Sequence, residues 1–168
     1  DEEHDSPSDP RPYGLAGWTE GDKSILIRDR YDIWEISPDG AKSRMITNGL
    51  GRKARFSFVY VDLDREKPAI PAAGPIVLQA TDEKTRATGA YRVDLAAPTA
   101  DPVKVVMKDK LLGGILKAKN ADVYVHTQQR FDEFPDLWVS GADLAAARKV
   151  SHANPQQADY NWGRAELI

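Results

Sequence analysis

Apolar and polar residues alternate in short runs along most of this chain, and turn residues separate the runs. SILIRD (24–29) is a β-branched run, and DIWEI (32–36) follows it. In DIWEI the period of two puts Ile33 and Glu35 on one face and Trp34 and Ile36 on the other. SPDG (37–40) reads as a turn, because Pro presets a negative φ and Gly accepts a positive one. KSRMIT (42–47) then returns as another strand. The pattern predicts a meander of hairpins with few helix signals.

The meander recurs. ILIRDR (25–30), DIWEI (32–36) and RMIT (44–47) form one copy. IVLQAT (76–81), GAYRV (89–93) and VKVVM (103–107) form a second, and VYVHTQ (123–128), DLWVS (136–140) and RKVS (148–151) a third. The aligned aromatics are Trp34, Tyr91 and Trp138, 57 and then 47 residues apart. Trp34 to Thr47 and Trp138 to Ser151 both span 13 residues. Each copy also has an entering strand: LAGW (15–18), RFSFVYVD (55–62) and GGILKAK (113–119). Four antiparallel strands in a period of about 40–55 residues are the signature of a β-propeller blade. The expected fold is therefore all-β, a partial β-propeller of about three four-stranded antiparallel blades. The expected blades are 15–47, 55–109 and 113–151. Their aligned aromatics are expected to fill the core between blades, and Leu137 and Val139 are expected to make both faces around Trp138 apolar and covered. A β-sandwich is the alternative. Three blades do not close a ring, so further blades or another chain would complete it.

The ends differ from this pattern. Residues 1–13 are acidic and carry Pro7, Pro10 and Pro12, and an extended arm is expected there. The chain opens without Met and stops in the alternating stretch WGRAELI, so a longer polypeptide is expected around it.

Composition narrows the function classes. Of 168 residues, 41% are hydrophobic and 29% charged, which suits a globular domain. The net charge of −3 lacks the broad positive field of a nucleic-acid binder. No apolar run reaches the roughly 18 residues of a membrane helix. Cysteine is absent, which removes disulfides, thiol catalysis and cysteine-based zinc sites. No cofactor, nucleic-acid or membrane partner is expected.

Candidate chemistry is sparse. His4, His126 and His152 are widely separated and form no metal-ligand spacing, so structural or solvent roles are expected. Asp62, Asp64 and Glu66 cluster after a strand, where solvation is expected rather than calcium. Asp29, Asp32 and Asp39 flank a hairpin and are expected to bond turn amides. GLGRKAR (49–55) is glycine-rich and basic, but a strand follows it, so an inter-blade connection is expected instead of a phosphate cradle. Trp18, Trp34, Trp138 and Trp162 are expected to pack in the core. FDEFPDLW (131–138) is read as a hairpin loop, with Phe131, Asp132, Glu133 and Phe134 as a candidate substrate-facing loop.

Two segments carry a more specific signal. WTEGDKSILIRDRYDIWEISPDGAKSRMITNGLGR (18–52) resembles propeller blades of the prolyl oligopeptidase family, through its Asp-Ile-Trp stretch and Pro-Asp-Gly turn. FDEFPDLWVSGADLAAARKVSHANPQQADYNWGRAELI (131–168) resembles the family's last blade. Its motifs are Phe134-Pro135-Asp136-Leu137-Trp138, Asn154-Pro155-Gln156-Gln157, Trp162-Gly163 and Glu166-Leu167. The likeness covers about residues 15–168, while 60–115 match mainly by pattern. Periplasmic TolB-like propellers use the Pro-Asp-Gly turn too.

The resemblance implies that 155–168 is an exit segment toward an α/β-hydrolase peptidase domain outside this chain. It implies serine-peptidase chemistry there, with the propeller covering the active site and peptides as substrates. It also implies an extracytoplasmic location, periplasmic or secreted. No G-x-S-x-G elbow occurs here, so no catalytic residue carries over. The implied partners are that peptidase domain and its peptides, and open blade edges are expected to self-associate. The alternative function is a non-enzymatic TolB-like module that binds proteins.

Overall fold

The computed structural model describes residues 11–67, 69–97, 99–142 and 144–163. Most of the expected acidic arm (1–10), with His4, and the Glu166-Leu167 motif lie outside these residues. Three four-stranded antiparallel sheets follow one another along the chain, each a meander of consecutive strands. The first sheet holds β1 (Leu15–Trp18), β2 (Ile25–Arg28), β3 (Ile33–Ile36) and β4 (Ser43–Met45). The second holds β5 (Phe56–Tyr60), β6 (Pro75–Asp82), β7 (Thr88–Asp94) and β8 (Val103–Lys108). The third holds β9 (Leu111–Lys117), β10 (Tyr124–Arg130), β11 (Glu133–Ser140) and β12 (Arg148–Lys149). Every expected strand is present. The largest shift is three residues, in β11, which begins at Glu133 rather than Asp136.

Period-two alternation in the second sheet explains how the three pack. Ile76, Leu78 and Ala80 of β6 join a core with Leu26 and Ile33 of the first sheet and with Phe58 and Tyr91. Val77, between them, points the other way and joins Ala90, Val106, Leu112, Ile115 and Tyr124 in a second core. Gln79 Nε2 follows Val77 and donates to Leu112 O at 2.6 Å. Among the described residues the second sheet is thus covered on both faces, and the first and third on one. Each Leu or Ile that reaches full burial here contributes about 1.5–3 kcal/mol. Leu144 enters the second core from the β11–β12 loop, at φ 48° and 1% exposed.

Helix is confined among the described residues to α1 (Leu50–Ala54) and two 3-10 turns. α1 lies inside GLGRKAR, where the sequence suggested only a connection running into a strand. Gly49, at φ 74°, turns the chain into α1, and Arg55, at φ 60°, turns it out into β5.

The tryptophans do not fill the core as expected. Trp18 and Trp162 are exposed, and Trp34 and Trp138 are half-buried. The core aromatics are Phe58 and Tyr91, with Phe56 packed against them, in one core and Tyr124 in the other. Phe58 and Tyr91 meet edge to face at 5.3 Å. The reason is position in the stack. Tyr91 belongs to the sheet with neighbours on both sides, whereas Trp34 points to the open side of the first sheet. Around Trp138 the strand is covered on one face only, where His126 and Lys149 flank the ring, and Leu137, on the other face, is exposed.

Candidate functional site

The third sheet carries a cleft of about 540 Å³, walled by β11, the turn before it and the segment after β12. β10 turns into β11 at Phe131-Asp132, and the register shifts between Gln128 and Arg130. Pro135 falls at that irregularity, where its missing N–H costs no ladder bond. Phe134 N–H turns instead to Gln157 Oε1 at 3.0 Å, and Gln157 Nε2 donates to Asp132 O at 2.8 Å. One side-chain amide thus substitutes for a neighbouring strand along the loop. Trp162 Nε1 donates to Gln157 O at 2.9 Å, and its ring meets Phe131 edge on at 6.3 Å.

Of the candidate loop residues, Asp132, Glu133 and Phe134 line the cleft. Phe131 is exposed beside Trp162. The acids are paired: Asp132 with Arg130 at 3.4 Å, and Glu133 with Lys110 and, at 3.8 Å, Arg130. Asp136 sits deeper. It accepts from Lys149 Nζ at 2.5 Å, Ser151 Oγ at 2.6 Å and Ala153 N–H at 2.9 Å. Those donors, Lys149 foremost, hold its carboxyl well below the usual carboxylate range.

Behind the cleft Lys108 spans two groups, donating to Gln128 Oε1 at 3.3 Å and lying 5.3 Å from the Trp138 ring. Gln128 Nε2 donates to His126 Nε2 at 2.9 Å, the assignment that leaves Nδ1 protonated. Nδ1 has no partner, and the ring is 0% exposed. Burial, and then the Lys108 charge, push the pKa of His126 down. His152 lines the cleft. Sequence reading named His126 and the 131–134 loop but did not join them with Lys108, Lys149 or Gln157. Only the fold, which sets β8 beside the third sheet, brings these together.

The other flagged groups serve the scaffold. Asp29 accepts from the N–H of Tyr31 and Asp32 and from Trp34 Nε1. Burial alone would raise its pKa, but those bonds and Arg52 lower it on balance. Asp39 accepts from Ala41 N–H at 3.0 Å. Asp32 accepts from Gly51 and Arg52 N–H at 2.9 and 3.0 Å, so the start of α1 is taken by the chain's own carboxylate. Arg30, Arg52 and Arg55 ring Tyr31 at 5.0–5.7 Å, with Glu83 bonded to Arg30, Arg55 and the Tyr31 hydroxyl. Asp62 accepts from Asp64 N–H at 3.1 Å. Among the described residues no three His, Asp or Glu converge on a metal, and no helix is long and apolar enough to cross a membrane.

Chemically the cleft is an aromatic, hydrogen-bonding recess with its charges paired. Ser151 is engaged twice, donating to Asp136 and accepting from Leu137 N–H. No protein-family model matches this chain, and no curated protein matches it.

Proposed function

We propose that this chain is a non-catalytic, partial β-propeller from a prolyl-oligopeptidase-like serine peptidase. In that role it covers the active site of the parent protein and limits which peptides enter. The observation that supports the reading is the meeting of two segments at one cleft. The 131–134 loop and the Asn154–Gln157 stretch both carry the resemblance, and Gln157 ties one to the other. The chemistry of the parent would be acyl transfer by a serine with a histidine base, in a domain that follows this one. The same reading places the parent outside the cytoplasm.

A TolB-like protein-binding module is the second reading. It is favoured by the pairing of every acid named at the cleft and the double engagement of Ser151.

The gene beyond Ile168 separates the two. A following segment with a G-x-S-x-G elbow supports the peptidase reading. A stop codon there overturns it in favour of the binding module. The isolated chain is expected to turn over no prolyl or dipeptidyl chromogenic substrate. Turnover that survives repurification, and that a serine-directed inhibitor stops by labelling this chain, overturns the non-catalytic assignment.

A further inference from the structure

The chain has four asparagines, and only Asn48 stands before a glycine. Asn120 precedes Ala121 and Asn161 precedes Trp162, while Asn154 precedes Pro155, which has no N–H. The turn from β4 into α1 explains the pairing. Leu50 N–H closes onto Thr47 O at 3.0 Å, and the two residues between them, Asn48 and Gly49, stand at φ 54° and 74°. A tight turn with two successive positive φ values selects Asn-Gly. Asn48 is exposed on this turn.

The same side chain has a second task. Its Nδ2 donates to Asp101 Oδ1 at 2.8 Å and to Thr99 O at 3.3 Å. Both acceptors lie in the connection from β7 to β8, so one amide fastens that connection to the first sheet. Arg44 of β4 anchors the near end of the connection, donating from Nη2 to Leu95 O at 2.8 Å.

Asparagine before glycine is the asparagine most open to attack by its own backbone, because no Cβ shields the next nitrogen. Gly49 N bonds to Asn48 Cγ, the Cγ–Nδ2 bond breaks, and Nδ2 leaves as ammonia with the Gly49 proton. The five-membered imide then takes up one water. Opening at one carbonyl gives aspartate. Opening at the other gives isoaspartate, whose main chain runs through the side-chain carbon. Water is the only co-reactant.

We propose that Asn48 is a site of spontaneous deamidation, and that its conversion unties the β7–β8 connection from the first sheet. Aspartate replaces both donors with a carboxylate that faces the Asp101 carboxylate, and like charges repel. Isoaspartate also lengthens the turn that opens α1, whose Gly51 and Arg52 N–H groups hold Asp32. In the folded chain two hydrogen bonds hold Nδ2, so the attack waits for the contact with Asp101 to open. The proposal does not rest on the peptidase reading, because it uses only this turn and the residues it bonds.

The test follows mass and exchange in the full chain. The chain is kept folded in mildly alkaline buffer and mapped by peptide mass spectrometry over time. Asn48 is expected to gain the mass of amide-to-acid conversion at least about tenfold faster than Asn120 or Asn161. Asp101→Ala, at an exposed position, should speed that gain at least about threefold by freeing Nδ2. Asn48→Asp reproduces the aspartate product. Hydrogen exchange at the Ala100 amide, bonded to Ala97 O at 3.1 Å, should then quicken at least about tenfold. The Leu95 amide, bonded to Gly74 O at 2.9 Å, should keep its rate. Should Asn48→Asp fail to fold, the converted fraction of the unsubstituted chain serves for the same exchange measurement. Asn48 converting no faster than Asn120 and Asn161 overturns the site. An unchanged rate in Asp101→Ala, or unchanged exchange at Ala100 after conversion, overturns the fastening role of the amide.

Discussion

The first and third sheets hold the same carboxylate clasp in different surroundings. In each, an aspartate stands two residues before the third-strand tryptophan, and a hydroxyl 15 residues later closes onto it. Thr47 Oγ1 donates to Asp32 and Ser151 Oγ to Asp136, both at 2.6 Å. Each hydroxyl oxygen accepts the N–H of the next strand residue, Ile33 at 3.1 Å or Leu137 at 2.8 Å. A backbone N–H beyond the hydroxyl completes the set, from Gly51 or Ala153, both at 2.9 Å. The last donor differs. Asp32 takes the Arg52 N–H and is sealed under α1, 0% exposed. Asp136 takes the Lys149 ammonium and borders the cleft. Lys149 pairs with Trp138 as Met45 pairs with Trp34, so one change in β12 supplies a charge where the first sheet has a thioether.

The difference shows that a buried carboxylate can be held by backbone donors where helix covers it, and needs a cation where the site stays wet. The second sheet has Gly89 at the matching place. A Cβ there would stand 2.0 Å from Val106 O, because β7 and β8 continue their ladder through it. A tight ladder and a side-chain clasp exclude one another at that point.

The largest expected effect is on the sealed clasp. Asp32→Ala strands the Thr47 hydroxyl and the Gly51 and Arg52 N–H groups, and each buried unsatisfied donor costs about 1–3 kcal/mol. A loss of at least about 3 kcal/mol is expected in urea denaturation. Asp136→Ala should lose less, because cleft water reaches its donors. Equal losses would mean that cover by α1 does not matter.

Gly51 sharpens the contrast. A Cβ there would lie 2.5 Å from Tyr31 O and 2.8 Å from Asp32 Oδ1. Gly51→Ala should therefore cost about 1–3 kcal/mol, as overpacking does. Ala153 gives the matching bond and already carries a Cβ, so Ala153→Gly should stay within about 1 kcal/mol. Denaturation midpoints of the two variants, measured side by side, decide it.

The two ends should also answer acid differently. His126 pairs with Trp138 where Ile27 pairs with Trp34. Its folded pKa is depressed by burial and Lys108, so it stays neutral when the unfolded chain has taken a proton. Its contribution is complete above the unfolded value of about 6.5 and is lost as the pH falls from there toward its folded value, by up to about 1.4 kcal/mol per pH unit. His126→Leu should flatten that arm below about pH 6.5. Stability curves of the variant that keep the full slope would assign it to other groups.

Much of this comparison is legible in the chain. The equal spacing from Trp34 to Thr47 and from Trp138 to Ser151 is the clasp itself, seen as an interval. The strands are legible because alternation and turn residues agree at nearly every hairpin. Burial of the tryptophans is not legible, because it depends on how many neighbours each sheet has rather than on any local pattern. Leu144 escapes too, since a loop residue at positive φ gives no periodic signal. α1 escapes because five residues are too few for a helical period and its capping carboxylate lies about 20 residues upstream. The cleft was half visible. The 131–134 loop stands out by composition and Gln157 stands in a motif over 20 residues on, but nothing in either stretch shows that the two bond.

Gln157 carries the smallest expected change in stability and the most local one. Its amide bonds both the N–H of Phe134 and the C=O of Asp132, groups that reach solvent if it is removed. Water can replace both partners at this exposed turn, so Gln157→Ala should cost no more than about 1 kcal/mol. The local consequence is larger, because β12 pairs with β11 only at Trp138 and Val139 and no described strand holds Phe134 on its outer side. Hydrogen exchange at the Phe134 amide should quicken at least about tenfold, while the Leu137 amide, held by Ser151, keeps its rate. Phe131 and Trp162 should lose their edge-on contact at the same time, which tryptophan fluorescence reads directly. The contact between the first and second sheets supplies the control: Phe58 N–H bonds Tyr31 O at 3.0 Å and should not respond. If exchange at Phe134 is unchanged, the turn is held by Arg130 and Lys110 instead, and the link between loop and exit segment is incidental.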